Sequence, residues 1–166
     1  LTPWKSAGVK IRPLTSDDAD AVLALNAASV TMLSPLDHPG LTEHLTSSTH
    51  AVACELESRV AGFALAYGPG STYDSINYRW HECRFDDFLY LDRIVVDEQL
   101  RRRGIATLLY DELETYARPH GRMVCEVNSE PPNVASLAFH RARGYREVGH
   151  LRQADGHETV MMEKPL

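Results

Sequence analysis

Cysteine is scarce in this chain, and its spacing argues against a disulfide scaffold. The three cysteines, Cys54, Cys83 and Cys125, lie far apart and form no Cys-x-x-Cys pair. An odd, scattered set does not indicate the paired framework of small secreted domains. No apolar run is long enough to cross a bilayer, and no apolar leader follows a basic start. We therefore expect free thiols in a reducing, cytoplasmic setting and no membrane segment.

Positive charge is also in short supply. The chain has 17 basic and 23 acidic side chains, a formal net charge of −6, so we expect no nucleic-acid partner. Its eight histidines lack the spacing of metal ligands, and we expect no metal. With 43% hydrophobic and 24% charged residues, 166 residues are typical of one ordinary globular domain, which we predict to span 1–166.

Hydrophobic periodicity divides the chain into strands and helices that alternate in its second half. Apolar runs and two-residue alternation predict seven strands, near 9–12, 50–56, 60–67, 88–96, 123–128, 145–151 and 157–162. Helical spacing predicts four helices: one from the capping pair Thr15 and Asp18 to Val30, a weaker one at 41–47, and regular ones at 105–117 and 133–143. This order predicts an α/β fold of the α+β type, in which helices flank a mixed central sheet.

The turn Arg101-Arg102-Arg103-Gly104-Ile105-Ala106 connects an apolar strand to the most regular helix. A helix start carries unpaired N–H groups and partial positive charge, and a glycine lets an anion approach the main chain. The turn therefore predicts a pyrophosphate site, a nucleotide-like cofactor and an enzyme. The alternative is a solvated surface turn.

The segment 68–87 is rich in aromatic residues and has no clean periodicity. An irregular insertion of this length is often functional. The alternative is a satellite cluster packed on the core.

Two motifs resemble those of the GNAT superfamily of N-acetyltransferases. Arg101-x-x-Gly104-x-Ala106 resembles the family's R/Q-x-x-G-x-G/A pyrophosphate loop, in the strand-to-helix context that such a loop needs. The segment 133–145 resembles the pattern N-x-x-A-x-x-[FL]-[YH]-x-x-x-G-[FY], with Ser136 at the small-residue position. Between them, Cys125-Glu126-Val127-Asn128 resembles the glutamate-bearing fifth strand. The resemblance covers about 88–163 well and the first half only by element order.

This resemblance implies a splayed sheet of about seven strands with about four helices, and acetyl-coenzyme A in the gap between the fourth and fifth strands. It implies that amides of 103–107 hold the pyrophosphate and that the backbone of 94–96 pairs with the pantetheine arm. The cofactor-binding residues that it implies are Ile94, Val95, Val96, Arg101, Arg102, Arg103, Gly104, Ile105, Ala106, Thr107, Asn133, Ser136 and His140.

Acetyl transfer to an amine needs a base for the amine proton, a donor for the oxyanion and a proton for the leaving thiolate. A backbone N–H near Val95 is the expected oxyanion donor. Glu126, on an apolar strand where burial raises a carboxyl pKa, is the first candidate base, acting directly or through water, and Asp92 is the second. For each the alternative is a structural carboxylate, paired with Arg93 in the case of Asp92. His140 stands where many relatives carry tyrosine. It either donates a proton to the sulfur or only hydrogen-bonds to it while water supplies the proton, and the alternative is a surface or core-edge histidine.

The resemblance implies that the insertion and the loop at 33–44 select the acceptor. The candidate substrate-binding residues are Tyr73, Asp74, Tyr78 and Trp80, with a surface role as the alternative for each. The expected function is direct transfer, in a ternary complex, to a primary amine of a small molecule, amino acid or peptide. The alternatives are a catalytically idle acyl-coenzyme A sensor and, with less support, an unrelated dinucleotide-binding protein. Dimers are common in the family, so a homodimer is one assembly that the resemblance implies.

Overall fold

A computed structural model describes residues 8–29 and 33–166, and within them it contains seven strands and five α-helices. The strands are β1 (Val9–Pro13), β2 (His50–Leu56), β3 (Arg59–Tyr67), β4 (Leu89–Val96), β5 (Arg122–Glu130), β6 (Arg146–Arg152) and β7 (Glu158–Pro165). The helices are α1 (Ala19–Ala28), α2 (His38–Ser47), α3 (Ile76–Glu82), α4 (Ile105–Ala117) and α5 (Val134–Ala142). The predicted α/β class and the seven strands are confirmed.

The helices differ from the prediction at three points. The insertion contains α3, which makes five helices instead of about four. Helix α2 begins three residues earlier than expected, because the Asp37 carboxylate accepts from the Gly40 N–H at 2.8 Å and caps its first turn. Helix α1 ends at Ala28, and Val30, which was predicted to belong to it, lies outside the described residues.

One sheet of order β1-β2-β3-β4-β5-β7-β6 runs through the molecule. Strands β4 and β5 are parallel, and all other neighbouring strands are antiparallel. The β4–β5 pairing comprises only Leu89 with Met123 and Tyr90 with Val124. Beyond Tyr90 the two strands part, so the sheet is splayed, and the remainder of β4 presents an unpaired edge to the gap.

The helices cover the two faces of this sheet. Alternate residues of a strand point to opposite faces, and β3 follows this rule. Phe63 and Leu65 are buried in one core cluster with Val22 of α1, whereas Ala64 is buried in another with Leu109 of α4. The small residues on the second face let the apolar side of α4 lie close to the strands. The sheet is therefore held from both sides, and the gap between β4 and β5 has a fixed frame.

Some properties of the described residues bear on function. The three cysteines are free thiols. None of the described helices combines the length and apolar character needed to cross a membrane. Over 8–29 and 33–166, no three His, Cys, Asp or Glu side chains come together as a metal site.

Candidate active site

A cavity of about 970 Å³ occupies the gap between β4 and β5. Side chains from α3, α4, α5 and the β6–β7 hairpin also line it. The predicted site residues that line it are Tyr73, Asp92, Ile94, Val95, Val96, Arg101, Glu126, Asn133, Ser136 and His140. The predicted residues outside the lining are Arg102, Arg103, Gly104, Ile105, Ala106, Thr107, Asp74, Tyr78 and Trp80.

The main chain of β4 offers hydrogen-bonding groups to this gap. Asp97 N–H donates to the Ala61 carbonyl on β3 at 2.9 Å. Because N–H groups alternate between the two edges of a strand, the N–H of Val95 also points to β3. The N–H groups of Ile94 and Val96 then point to the edge that β5 leaves unpaired. An oxyanion donor near Val95, as expected from the sequence, would therefore be the N–H of Ile94 or of Val96 and not that of Val95 itself.

The arginine turn and the start of α4 form a second set of donors. Gly104 is the N-cap of α4 with φ at 80°, in the left-handed region that glycine adopts without penalty. Within the part of the chain that the structure describes, the N–H groups from Arg102 to Thr107 donate no hydrogen bond. Arg101 pairs with Glu98 at 3.1 Å. The orphan N–H groups and the helix dipole make this end of α4 suited to an anion.

Glu126 lies on β5 and lines the cavity. Its Oε1 accepts from Asn77 Nδ2 at 2.9 Å and from the Tyr90 hydroxyl at 3.0 Å. Its Oε2 is buried and has no hydrogen-bond partner among the described residues. Burial and, to a smaller extent, the charge of Asp92 raise the pKa of Glu126 to about 8. A carboxyl with such a pKa and one unengaged oxygen is chemically suited to proton transfer.

Asp92 has both carboxylate oxygens engaged. The Tyr73 hydroxyl donates to Oδ1 at 2.6 Å, and Arg93 Nε donates to Oδ2 at 3.3 Å. Arg93 is itself buried and donates to Asn26 Oδ1 at 2.7 Å and to Ser34 Oγ at 2.9 Å. These contacts support the structural alternative for Asp92, which joins β4 to the insertion and to the loop after α1.

His140 is buried, and both of its ring nitrogens are engaged. Nδ1 lies 2.7 Å from the Ser136 carbonyl oxygen, which only accepts, so Nδ1 carries the proton. Nε2 then accepts from the Tyr110 hydroxyl at 2.6 Å. Burial lowers the pKa of His140, which keeps the ring neutral. Neutral His140 has no N–H left for a sulfur atom, so the structure disfavours it as the direct proton donor.

The insertion contributes less to the cavity than its aromatic content suggests. Tyr73 lines the cavity and stacks on Tyr67, with ring centroids 4.2 Å apart. Tyr78 is fully buried and donates to the Gly68 carbonyl at 2.8 Å, as the satellite-cluster alternative predicts. Trp80 lies so close to Gly149 that a Cβ there would overlap its ring. Asp74 is exposed outside the lining.

A model described as the Acetyltransferase (GNAT) family matches residues 22–145. The chain belongs to this family. It is 27% identical over 132 residues to the aminoglycoside N(6')-acetyltransferase type 1 of Serratia marcescens. The matched segment covers 80% of this chain and 88% of that protein.

Solved structures of acetyltransferases share its fold. The ribosomal-protein-alanine N-acetyltransferase of Brucella melitensis is 25% identical, with a TM-score of 0.72 over 95% of this chain and 99% of that one. The phosphinothricin acetyltransferase of Sinorhizobium meliloti, solved in complex with AcCoA, is 19% identical, with a TM-score of 0.73 over 95% and 88% of the two chains.

The cavity of this acetyltransferase also contains residues that the sequence prediction missed. Asn77 is on α3, Tyr110 is on α4, and Gln153 is on the β6–β7 hairpin. Tyr110 falls on the apolar face of a regular helix, where periodicity marks it only as core. Asn77 had a detectable signal, since Ser75 caps α3 by accepting from the Tyr78 N–H at 3.3 Å. Gln153 had none, because its role depends on contacts that are distant in sequence.

Proposed function

We propose that this acetyltransferase moves an acetyl group from acetyl-coenzyme A directly to a primary amine of a small molecule, an amino acid or a peptide. The observation that carries the proposal is the Glu126 carboxyl. It lies in the gap beside the unpaired edge of β4, with Oε2 unengaged and the pKa raised to about 8. This is close to the range in which a base takes protons from amines at physiological pH.

The residues present fit the coenzyme. Orphan N–H groups of 102–107 at the start of α4, together with Arg102 and Arg103, would hold the pyrophosphate. The open edge of β4 at Ile94 and Val96 would pair with the pantetheine arm, with Asn133 facing it from the start of α5. When bound, acetyl-coenzyme A supplies the activated acetyl group as a thioester.

The chain's own groups then have separate tasks. Glu126 Oε2 would take one proton from the acceptor ammonium, directly or through water, which frees the nitrogen lone pair to attack the thioester carbon. As the C–N bond forms and the C–S bond breaks, the nitrogen would lose a second proton and the sulfur would leave as a thiol, so that one proton ends on Glu126 and one on the sulfur. An N–H of β4 on the open edge stabilises the developing negative charge on oxygen. Tyr110 is the residue that we assign to the departing sulfur, and its hydroxyl would have to turn its single proton from His140 Nε2 to the sulfur.

The lining offers acceptor groups to an ammonium. Asp155 and Gln153 of the β6–β7 hairpin line the same cavity as Asp92 and Glu126, although Arg93 and Arg101 line it too, so the acceptor's ammonium would be received by oxygen atoms rather than by net negative charge. Names of the relatives are compatible with this chemistry, since one acts on an aminoglycoside and another on a ribosomal-protein alanine. The free thiols fit a cytoplasmic enzyme.

The direct test measures free thiol release from acetyl-coenzyme A with a panel of amines. The panel contains an aminoglycoside, a peptide with N-terminal alanine, a polyamine and single amino acids, and mass spectrometry identifies each product. We expect turnover with at least one amine and its loss in Glu126→Gln. Tight coenzyme binding without turnover on any amine contradicts the proposal and favours the sensor.

A further inference from the structure

A chain of side-chain hydrogen bonds connects the β6–β7 hairpin to Glu126. Thr159 Oγ1 lies 3.2 Å from the Leu151 carbonyl oxygen, and Gln153 Nε2 lies 3.1 Å from Thr159 Oγ1. The same Nε2 is 2.8 Å from Asn77 Oδ1. Asn77 Nδ2 is 2.9 Å from Glu126 Oε1. Three elements, β7, the hairpin and α3, thus contribute to one path that ends at the carboxyl of β5.

This path has a direction that chemistry imposes. The Leu151 carbonyl only accepts, so the Thr159 hydroxyl donates to it and presents its lone pairs to Gln153. Gln153 must therefore turn its NH₂ group to Thr159, and the second hydrogen of that group reaches Asn77. Asn77 accepts with Oδ1, which leaves its NH₂ group to face Glu126. A backbone carbonyl on β6 thereby determines which end of the Asn77 amide meets the carboxyl.

The consequence is an asymmetric carboxyl. Oε1 accepts from both Asn77 and the Tyr90 hydroxyl, while Oε2 is buried without a partner among the described residues. We propose that Asn77 and Gln153 are positioning residues that fix Oε2 of Glu126 as the atom that takes the acceptor's proton. This inference rests on the proposed role of Glu126 as the base.

Other ionisable groups face Glu126 from the neighbouring elements. They are Asp92 and Tyr90 from β4, Tyr110 from α4, and Cys125 beside Glu126 on β5. Asp155 and His157 of the hairpin line the same cavity. His81 of α3 is hydrogen-bonded to the Cys125 carbonyl. None of them is changed in the test below, so their influence is constant across the variants.

The test compares Asn77→Leu, Gln153→Leu and the double variant. Loss of the Asn77 donor removes a hydrogen bond to the charged form, so the pKa of Glu126 rises by about one unit or more. Gln153→Leu leaves Asn77 free to turn around and produces a smaller upward shift. If the two residues form one path, the double variant shifts no further than Asn77→Leu alone.

Two readouts separate this inference from the function itself. Titration of ¹³C-labelled glutamate by NMR follows the Glu126 carboxyl without substrate, and the pH dependence of kcat follows it in turnover. Arg152→Leu is the control, because Arg152 neighbours Gln153 but contacts Gly156 and Glu158 outside the cavity. We expect Arg152→Leu to leave both the NMR titration of Glu126 and the pH dependence of kcat unchanged.

The outcomes are distinct. Unshifted titration in both single variants, or fully additive shifts in the double variant, overturns the positioning role. An enzyme inactive on every amine overturns the proposed function, yet the NMR titration still tests the path. Should Asn77→Leu fail to fold, Gln153→Leu alone decides, since an unshifted Glu126 in that variant contradicts the path.

Discussion

Glu126 combines burial with a nearby like charge, and both oppose ionisation. A catalytic base of this kind is active only in its ionised form. Since its pKa is raised to about 8, we expect kcat to increase with pH through about 8 and then to level off. Stopped-assay rates from pH 6 to 10 with saturating substrates measure this, and Glu126→Gln should lose about 10²-fold or more of the rate and the pH dependence with it.

The Tyr110–His140 pair predicts the alkaline side of the same profile. An imidazolium acid would lose activity as the pH rises through its pKa, which burial lowers in His140. Such an acid would already have lost its proton at the pH at which Glu126 ionises. Burial also raises the pKa of Tyr110 well above its usual value, so its proton stays in place. We therefore expect no descending limb after the rise that Glu126 causes, whereas a rate that falls as the pH rises through neutrality would exclude this pair as assigned.

The raised pKa of Glu126 also predicts a dependence of stability on pH. The folded protein keeps this proton up to about pH 8, while the unfolded chain loses it near 4.5. The folded state therefore loses stability as the pH rises between these values. We expect the free energy of unfolding, measured with urea, to decrease between pH 5 and pH 9. This decrease should be about 2–4 kcal/mol larger in the wild type than in Glu126→Gln. Equal decreases would mean that Glu126 ionises normally.

Helix α4 offers the sharpest test of the coenzyme site. Asp and Asn have the same shape, and both tolerate the left-handed conformation of Gly104. Gly104→Asp adds a negative charge where the pyrophosphate is expected, and Gly104→Asn does not. Calorimetric affinity for acetyl-coenzyme A should be weaker by about 10- to 100-fold in the Asp variant than in the Asn variant. Similar affinities in the two variants would mean that the pyrophosphate does not bind beside Gly104.

Regular elements could be predicted from the sequence because their signals are local. Helix α4 runs from Ile105 to Ala117 as its apolar period predicts, and Asn133 caps α5 by accepting from the Ser136 N–H at 3.2 Å. Helix α3 was missed since it has only seven residues and its Tyr78 side chain packs into a separate cluster. Glu126 was selected from its apolar strand, but the engagement of its Oε1 depends on contacts between residues far apart in the chain.

For the molecule as a whole, a coenzyme bound in the gap as proposed would connect β4 and β5 where the sheet leaves them unpaired. A ligand that binds only the folded state stabilises it by about 2.7 kcal/mol at 100 times its Kd. For a chain of this length we expect acetyl-coenzyme A to raise the Tm by about 5–10 °C. Differential scanning fluorimetry measures the shift, with Gly104→Asp as the comparison at the same ligand concentration. A wild-type Tm that does not move would contradict binding in the gap.

The two-pair contact between β4 and β5 has a consequence for inheritance. On the proposed placement of the coenzyme, the groups that would meet the pantetheine arm are peptide N–H and C=O groups, and every residue except proline provides both. Mutation can exchange Ile94 or Val96 for another strand-forming residue without altering what the ligand encounters. The side chains of such a site can therefore change between relatives while its backbone hydrogen-bonding groups stay the same, provided that the two strands still diverge. The solved acetyltransferases of Brucella melitensis and Sinorhizobium meliloti share this fold at only 25% and 19% identity to this chain.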